Sequence, residues 1–140
     1  MEPEVIIIHH SLTKDSLTAS WPAIRKYHKN LGWADIGYHF GIEDINGGYE
    51  ILTGRFPNVT GAHCRGFNKK SIGICMVGNF DIDPPPAKQV KVLIKLIAYL
   101  MKTYSITVLL GHCELNLLKS CPGKMFDMDK LRDDVLKELS

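Results

Sequence analysis

The 140-residue sequence has little excess charge, which argues against several classes of partner. Its 17 basic and 15 acidic side chains leave a formal net charge of +2 with histidine neutral. A nucleic-acid-binding domain usually displays a strongly basic surface, so no nucleic-acid partner is expected. No apolar run reaches the roughly 18 residues of a membrane-spanning helix, so no membrane span is expected either.

The four cysteines are spread through the chain, and the amino-terminal end lacks the basic-then-apolar pattern of a secretory leader. Nothing therefore indicates a secreted disulfide framework, and synthesis in the cytoplasm without a signal peptide is expected. Cys75 alternates with glycine and valine in an apolar segment and is interpreted as a core residue. Cys64 and Cys113 are interpreted as packed or partly exposed thiols, whereas Cys121 lies beside proline and glycine in a loop.

The alternation of helical and strand patterns predicts an α/β fold with one domain over residues 1–140. We expect a mixed central sheet of about five strands with helices packed on its faces. Strands are predicted at 5–9, 36–42, 49–52, 71–77 and 107–110, with Asn46-Gly47 as a hairpin turn. Helices are predicted at 21–31, with Ser20 as N-cap and Gly32 at its end, at 90–104, and after Asp127. A polar loop is predicted from residue 11 to 20.

Potential metal ligands occur near both ends of the chain. The apolar run 5–8 leads to His9 and His10, at the edge where open α/β sheets usually carry their chemistry. His112 follows the predicted strand 107–110, and eight residues separate it from Cys121. One histidine from each end plus Cys121 would leave the fourth position of zinc to water, which is the arrangement of a catalytic site.

The residues alone leave two choices open within this set. Neighbouring strand residues point to opposite faces, so only one of His9 and His10 can join the site, and spacing does not say which. Cys113 directly follows His112 and competes with Cys121 as the thiolate ligand.

Five short motifs in one order resemble a known family. They are His9-His10-Ser11 after an apolar strand, Gly37-Tyr38-His39-Phe40, Gly61-Ala62-His63, Ser71-Ile72-Gly73-Ile74 and Lys119-Ser120-Cys121-Pro122. The chain resembles the N-acetylmuramoyl-L-alanine amidases of the phage-lysozyme and peptidoglycan-recognition-protein superfamily, over roughly residues 5–137.

The resemblance implies a zinc cofactor and roles for particular residues. It implies His9, the first histidine of its pair, as a zinc ligand together with His112 and Cys121. It implies Tyr38 as a catalytic residue. His39 points to the opposite face of the predicted strand and is interpreted as structural. Lys119 lies two residues before Cys121, so the chain holds its ammonium group near the metal, where it can stabilise a negative intermediate. The stretch from His112 to Lys119 is one residue longer than the phage-type pattern, which leaves the conformation of this loop open.

The resemblance also implies the substrate, which composition and spacing do not reveal. The substrate would be peptidoglycan or a muropeptide, cut at the amide between N-acetylmuramic acid and L-alanine. Segment 55–70 is predicted to be a long functional loop, and His63, Arg65 and Asn68 are the candidates for substrate contacts. The expected role is that of a monomeric phage or prophage endolysin, which reaches the cell wall after holin-assisted release or lysis.

Other functions compete with this expectation. A non-catalytic peptidoglycan-binding module typically has serine in place of the ligand cysteine, and a cytosolic muropeptide-recycling amidase has aspartate there. Cys121 therefore favours the endolysin. A domain with structural zinc would be expected to have a fourth protein ligand, such as Cys113 or His10. The chain has no His-Glu-x-x-His helix, so the general base of the zincin proteases is absent.

Overall fold

The computed structural model describes residues 1–13 and 20–140, which build a five-stranded sheet with helices on both faces. The predicted polar loop 11–20 lies largely outside the described residues, since 14–19 are not among them. In chain order the elements are β1 (Val5–His10), α1 (Trp21–Asn30), β2 (Phe40–Ile45), β3 (Gly48–Thr53), β4 (Ser71–Met76), α2 (Ala87–Tyr104), β5 (Val108–Gly111), α3 (His112–Leu115) and α4 (Met128–Leu139). The predicted fold class, a mixed sheet of about five strands, is confirmed.

The sheet has the strand order β3-β2-β4-β1-β5. Strand β1 lies parallel to both β4 and β5, and β2 lies parallel to β4. Strands β2 and β3 form an antiparallel hairpin, whose turn residues Asn46 and Gly47 have φ values of 55° and 91°. Every residue of β1 and β4 is buried, as expected for central strands covered on both faces. The parallel arrangement brings the carboxyl ends of β1, β4 and β5 to one edge.

The two faces of β1 pack against different parts of the chain. Ile6 and Ile8 belong to the main core under α2 and α4. Val5 and Ile7 face the other side, where they pack with Cys64. On that second side α1 also covers the sheet, in a cluster that contains Trp21, Ile36, Cys75 and Val77. Cys75 is fully buried, which confirms its interpretation as a core residue. Within the described ranges, no helix combines the length and hydropathy that a membrane crossing requires.

Strand β2 begins at Phe40, so the prediction of a strand from residue 36 is wrong at its amino-terminal end. The backbone before Phe40 pairs partly with the loop after β3. Gly37 O accepts a hydrogen bond from Ala62 N at 3.0 Å, and Tyr38 O accepts one from Arg55 N at 3.0 Å. Tyr38 therefore lies in an irregular segment just before β2 and not within a strand.

Helix α1 begins and α4 is capped where predicted, whereas α2 begins at Ala87, before the predicted start at residue 90. Asp127 caps α4, because its side chain accepts from Lys130 N at 3.0 Å. Gly32 follows α1 with a φ of 92°. Ser20 occupies the N-cap position of α1 but its side chain makes no cap hydrogen bond. The buried carboxylate of Glu43 in β2 accepts from the backbone N–H groups of Ser20 and Trp21 instead.

Candidate active site

Three side chains bring potential metal donors together at the carboxyl edge of the sheet. His9 lies near the end of β1, His112 begins α3 directly after β5, and Cys121 lies in the loop between α3 and α4. Their ligand atoms all lie within 4.8 Å of one another, and Cys121 Sγ is 3.5 Å from His9 Nδ1. Two ligands bound at about 2.0–2.3 Å to a tetrahedral zinc ion lie about 3.5 Å apart, so the distance from Cys121 Sγ to His9 Nδ1 fits zinc.

The side chain of His10 lies on the opposite face of β1. Its Nδ1 accepts a hydrogen bond from Phe80 N at 3.1 Å, and the two rings stack with centroids 6.0 Å apart. The backbone N–H of His10 nevertheless points to the site and donates to Cys121 Sγ at 3.3 Å. Of the adjacent pair, the structure thus brings the His9 ring to the other donors.

Cys113, the alternative thiolate ligand, contributes a backbone hydrogen bond to the site but not its thiol. Cys113 N donates to Cys121 O at 2.7 Å, which links the start of α3 to the loop. Among the described residues, the group of close ligand atoms contains Cys121 and not Cys113.

His112 is held in place by the residues around it. Glu114 Oε1 accepts from Gly111 N at 2.8 Å, which fixes the first turn of α3. Arg132 of α4 binds the same carboxylate at 2.9 Å. A Cβ atom at Gly111 would lie 2.9 Å from Pro122 Cδ, so this glycine lets the Cys121 loop approach the end of β5.

The loop that carries Cys121 is anchored to the segment after β4. Asp81 accepts from Ser120 Oγ and from Lys124 N, both at 2.9 Å. Close packing adds to these bonds, because a Cβ at Gly123 would lie 2.4 Å from Phe80 C. Asp81 was not predicted from sequence, since its partners are about 40 residues away in the chain and no local motif marks it.

The protonation states of the three donors suit a divalent cation. Burial and the neighbouring histidines hold the pKa of His9 well below its usual range, and burial and the Lys119 charge lower the pKa of His112. Both imidazoles are therefore neutral near pH 7, with a lone pair to offer. Burial raises the pKa of Cys121 to about 12, so a metal must displace the thiol proton. Two neutral imidazoles and one thiolate form a donor set typical of zinc.

Tyr38 and Lys119, the two predicted catalytic residues, both lie beside these donors. The Tyr38 ring is 5.2 Å from the His9 ring and stacks on Trp21 with centroids 6.2 Å apart. Burial raises the pKa of Tyr38 well above its ordinary value, so its phenol stays protonated and can donate a hydrogen bond. Lys119 is exposed on the turn before Cys121. Its positive charge adds to the burial that lowers the pKa of His112, and it offsets a small part of the burial effect that raises the pKa of Cys121.

The candidates in the 55–70 loop have different surroundings. His63 lies beneath His9, with both ring nitrogens bonded inside the protein, and burial lowers its pKa to about 3. Asn68 Oδ1 accepts from the backbone N–H groups of His63 and Cys64 at 2.8 and 2.9 Å. Arg65 is exposed. Substrate contacts of His63, Arg65 and Asn68 stay predictions, and for His63 and Asn68 the structure also gives internal partners.

His39, expected to be structural, is fully buried next to His63. Its Nδ1 accepts from Gly73 N at 3.0 Å, and its Nε2 bonds to Val59 O at 2.7 Å. The His39 ring therefore connects β4, through Nδ1, to the 55–70 loop, through Nε2.

Comparison with known proteins places this fold and site in a family. The sequence matches the family Amidase_2, described as N-acetylmuramoyl-L-alanine amidase, over residues 1–124. The endolysin of Escherichia phage T7 is 38% identical in an alignment over 133 residues that covers 91% of this chain and 83% of that protein. Peptidoglycan-recognition protein LB of Drosophila melanogaster is 37% identical in an alignment over 129 residues that covers 84% of this chain and 53% of that protein.

A solved structure shares the whole architecture. N-acetylmuramoyl-L-alanine amidase LysC from Clostridium intestinale URNW superposes with a TM-score of 0.84 at 32% identity. The superposition covers 96% of this chain and 86% of LysC. These matches confirm the resemblance that the five motifs indicated. The chain therefore belongs to the N-acetylmuramoyl-L-alanine amidase family.

Proposed function

We propose that the protein hydrolyses the amide bond between N-acetylmuramic acid and L-alanine in peptidoglycan, with a zinc ion held by His9, His112 and Cys121. The observation that carries this proposal is the convergence of these three donors within 4.8 Å at the carboxyl edge of the sheet. Three protein donors leave one position of a tetrahedral ion for water or substrate, as in catalytic zinc sites. A structural site would require a fourth protein donor.

The chain's own residues then have distinct tasks in the reaction. When bound, Zn²⁺ lowers the pKa of water and polarises a carbonyl oxygen. Tyr38 keeps its phenolic proton and donates a hydrogen bond to the scissile carbonyl oxygen as negative charge develops there. Lys119 supplies a positive charge on the solvent side of the same oxygen.

Cys121 also supports an amidase that acts on the cell wall over the two rival functions. A binding module without activity is expected to have serine at this position, and a muropeptide-recycling amidase is expected to have aspartate. The similarity to phage endolysins agrees with action on the intact cell wall. All three donors come from one chain, so the proposed site needs no second subunit, and the protein is proposed to act as a monomer. As in the sequence-based expectation, it reaches the wall after holin-assisted release or lysis.

Metal analysis and chelation test this proposal. Purified protein is expected to contain about one zinc per chain by elemental analysis. Removing the metal with a chelator should abolish clearing of a peptidoglycan suspension. The far-ultraviolet circular dichroism spectrum should persist, because the donors lie at the sheet edge and the apolar core is built without them. Undiminished clearing by metal-free protein would contradict the proposed mechanism.

Asp81→Ala should weaken zinc binding although Asp81 touches no donor atom. The substitution removes the two hydrogen bonds that hold the Cys121 loop to the segment after β4. A loss of roughly 10-fold in zinc affinity is expected, the lower end of the range for supporting residues. Competition with a chromophoric chelator measures it. Asp83→Ala is the matched control, since Asp83 is exposed two residues away; equal affinities in the two variants would rule out the anchoring role.

A further inference from the structure

Two of the family motifs meet directly beneath His9. His63 of Gly61-Ala62-His63 places its Nδ1 2.8 Å from His9 Nε2. The other ring nitrogen, Nε2, lies 3.1 Å from the hydroxyl of Ser71, which begins Ser71-Ile72-Gly73-Ile74. The Ser71 hydroxyl in turn lies 2.7 Å from the carbonyl oxygen of Phe67. Three successive hydrogen bonds thus connect His9 to a backbone carbonyl.

We call this series of three hydrogen bonds, from His9 through His63 and Ser71 to Phe67 O, the relay. Its last acceptor determines which atom holds each proton. A carbonyl oxygen only accepts, so the single hydroxyl hydrogen of Ser71 is donated to Phe67 O. Ser71 Oγ must then accept from His63 Nε2–H. A neutral imidazole protonated at Nε2 has a bare Nδ1, which accepts from His9 Nε2–H.

This arrangement of protons determines which nitrogen of His9 is free to bind a metal. With its proton on Nε2, His9 has a free lone pair on Nδ1. This is the nitrogen that lies 3.5 Å from Cys121 Sγ, on the side where the three donors converge. The opposite tautomer would direct an N–H bond at the place of the metal.

We propose that His63 is a positioning residue, which fixes the tautomer and orientation of His9 through a relay that ends on the Phe67 carbonyl. This inference rests on the proposed function, because it takes His9 as a metal ligand. A group that accepts a hydrogen bond from a metal-binding histidine holds the imidazole ring in place and keeps its coordinating nitrogen bare.

One glycine in each of the same two motifs leaves space for the His63 ring. A Cβ atom at Gly73 would lie 2.5 Å from His63 Cγ and 2.6 Å from its Nδ1. A Cβ at Gly61 would lie 2.8 Å from His63 Cδ2. The backbone of His63 is fixed as well, since its N–H donates to Asn68 Oδ1. Each motif therefore contributes one relay side chain and one glycine that leaves room for the ring.

The tautomers can be measured directly in the metal-free protein. Long-range ¹H–¹⁵N correlation spectra of ¹⁵N-labelled wild-type protein, recorded at neutral pH with a chelator present, distinguish protonated from bare ring nitrogens. The relay predicts that His9 and His63 are both protonated at Nε2. A proton on Nδ1 of His9 would overturn the proposal, whatever the protein's activity.

A pair of variants then tests the effect on metal binding. His63→Leu removes the acceptor, whereas His63→Asn places a side-chain oxygen near the position of Nδ1. Zinc affinity, measured by chelator competition, should fall roughly 10- to 100-fold in His63→Leu, and His63→Asn should recover most of the loss. Equal losses in both variants, or wild-type affinity in His63→Leu, would overturn the relay. If His63→Leu does not fold, the wild-type tautomers and His63→Asn decide.

These results separate the relay from the proposed function. A wild-type protein that binds no zinc would contradict the proposed function and leave the tautomer measurement valid. A wild-type protein that binds zinc but carries the Nδ1–H tautomer of His9 in its metal-free form would contradict the relay alone.

Discussion

Cys121→Ser is expected to abolish zinc binding and peptidoglycan lysis together. The change replaces a thiolate, bound at about 2.3 Å, with a hydroxyl that stays protonated near neutral pH and coordinates poorly. The loss of zinc affinity should exceed the roughly 10- to 100-fold typical of losing a supporting residue, because a direct ligand is removed. Elemental analysis and a turbidity assay on the same preparation measure both effects.

The same variant separates catalysis from binding. Cys121→Ser should still be pulled down by insoluble peptidoglycan, since Arg65 and the rest of the 55–70 loop, which are predicted to contact the substrate, are unchanged. Cys113→Ser is the matched control, because this thiol is nearby and partly exposed but outside the group of converging donors. If Cys113→Ser lost lysis and Cys121→Ser remained lytic, the ligand assignment would be wrong and His112-Cys113 would replace it.

Lys119→Ala and Tyr38→Phe should each slow hydrolysis by roughly ten- to a thousandfold while zinc content stays at the wild-type level. The first variant removes a positive charge beside the site, and the second removes a proton donor but keeps the ring that packs on Trp21. The kcat/KM for a soluble muropeptide, measured beside the metal content, reports both effects.

Matched controls show whether these losses are specific. Lys124→Ala removes an exposed lysine from the same loop, and Lys124 binds Asp81 through its backbone N–H. Tyr27→Phe removes a phenol that is 63% exposed on α1. Both controls should retain near wild-type rates. Wild-type rates in Lys119→Ala and Tyr38→Phe as well would show that neither residue acts in catalysis.

Local patterns were sufficient to predict most of the fold. The continuous apolar runs that became β1 and β4 indicated strands buried on both faces, and both are central. Asn46-Gly47 indicated the hairpin, and both residues have positive φ. The prediction failed before Phe40, where the strand-like pattern was misleading because that backbone pairs partly with a loop distant in sequence.

The site could be predicted in part. Strand alternation places His9 and His10 on opposite faces, but which face carries the site depends on how helices cover the sheet. Helices α2 and α4 cover the face shared by Ile6 and Ile8, so the site lies on the opposite face, with His9. Spacing alone therefore could not select His9, whereas the family resemblance could.

The supporting contacts could not be predicted, because they join segments distant in sequence. Asp81 reaches Ser120 across 39 residues, and His9 reaches His63 across 54. The register of β1 against β4 pairs Val5 with Ser71 and His9 with Cys75, and this register aligns the relay beneath the site. Only the assembled sheet sets these distances.

The products released from purified peptidoglycan sacculi test the central claim most directly. The proposed amidase should release new L-alanine amino termini in equal number with new muramoyl-lactyl carboxyl groups, and zinc removal should stop both. New reducing sugar ends, or amino termini of any residue other than L-alanine, would show that a different bond is cut and would contradict the proposed function.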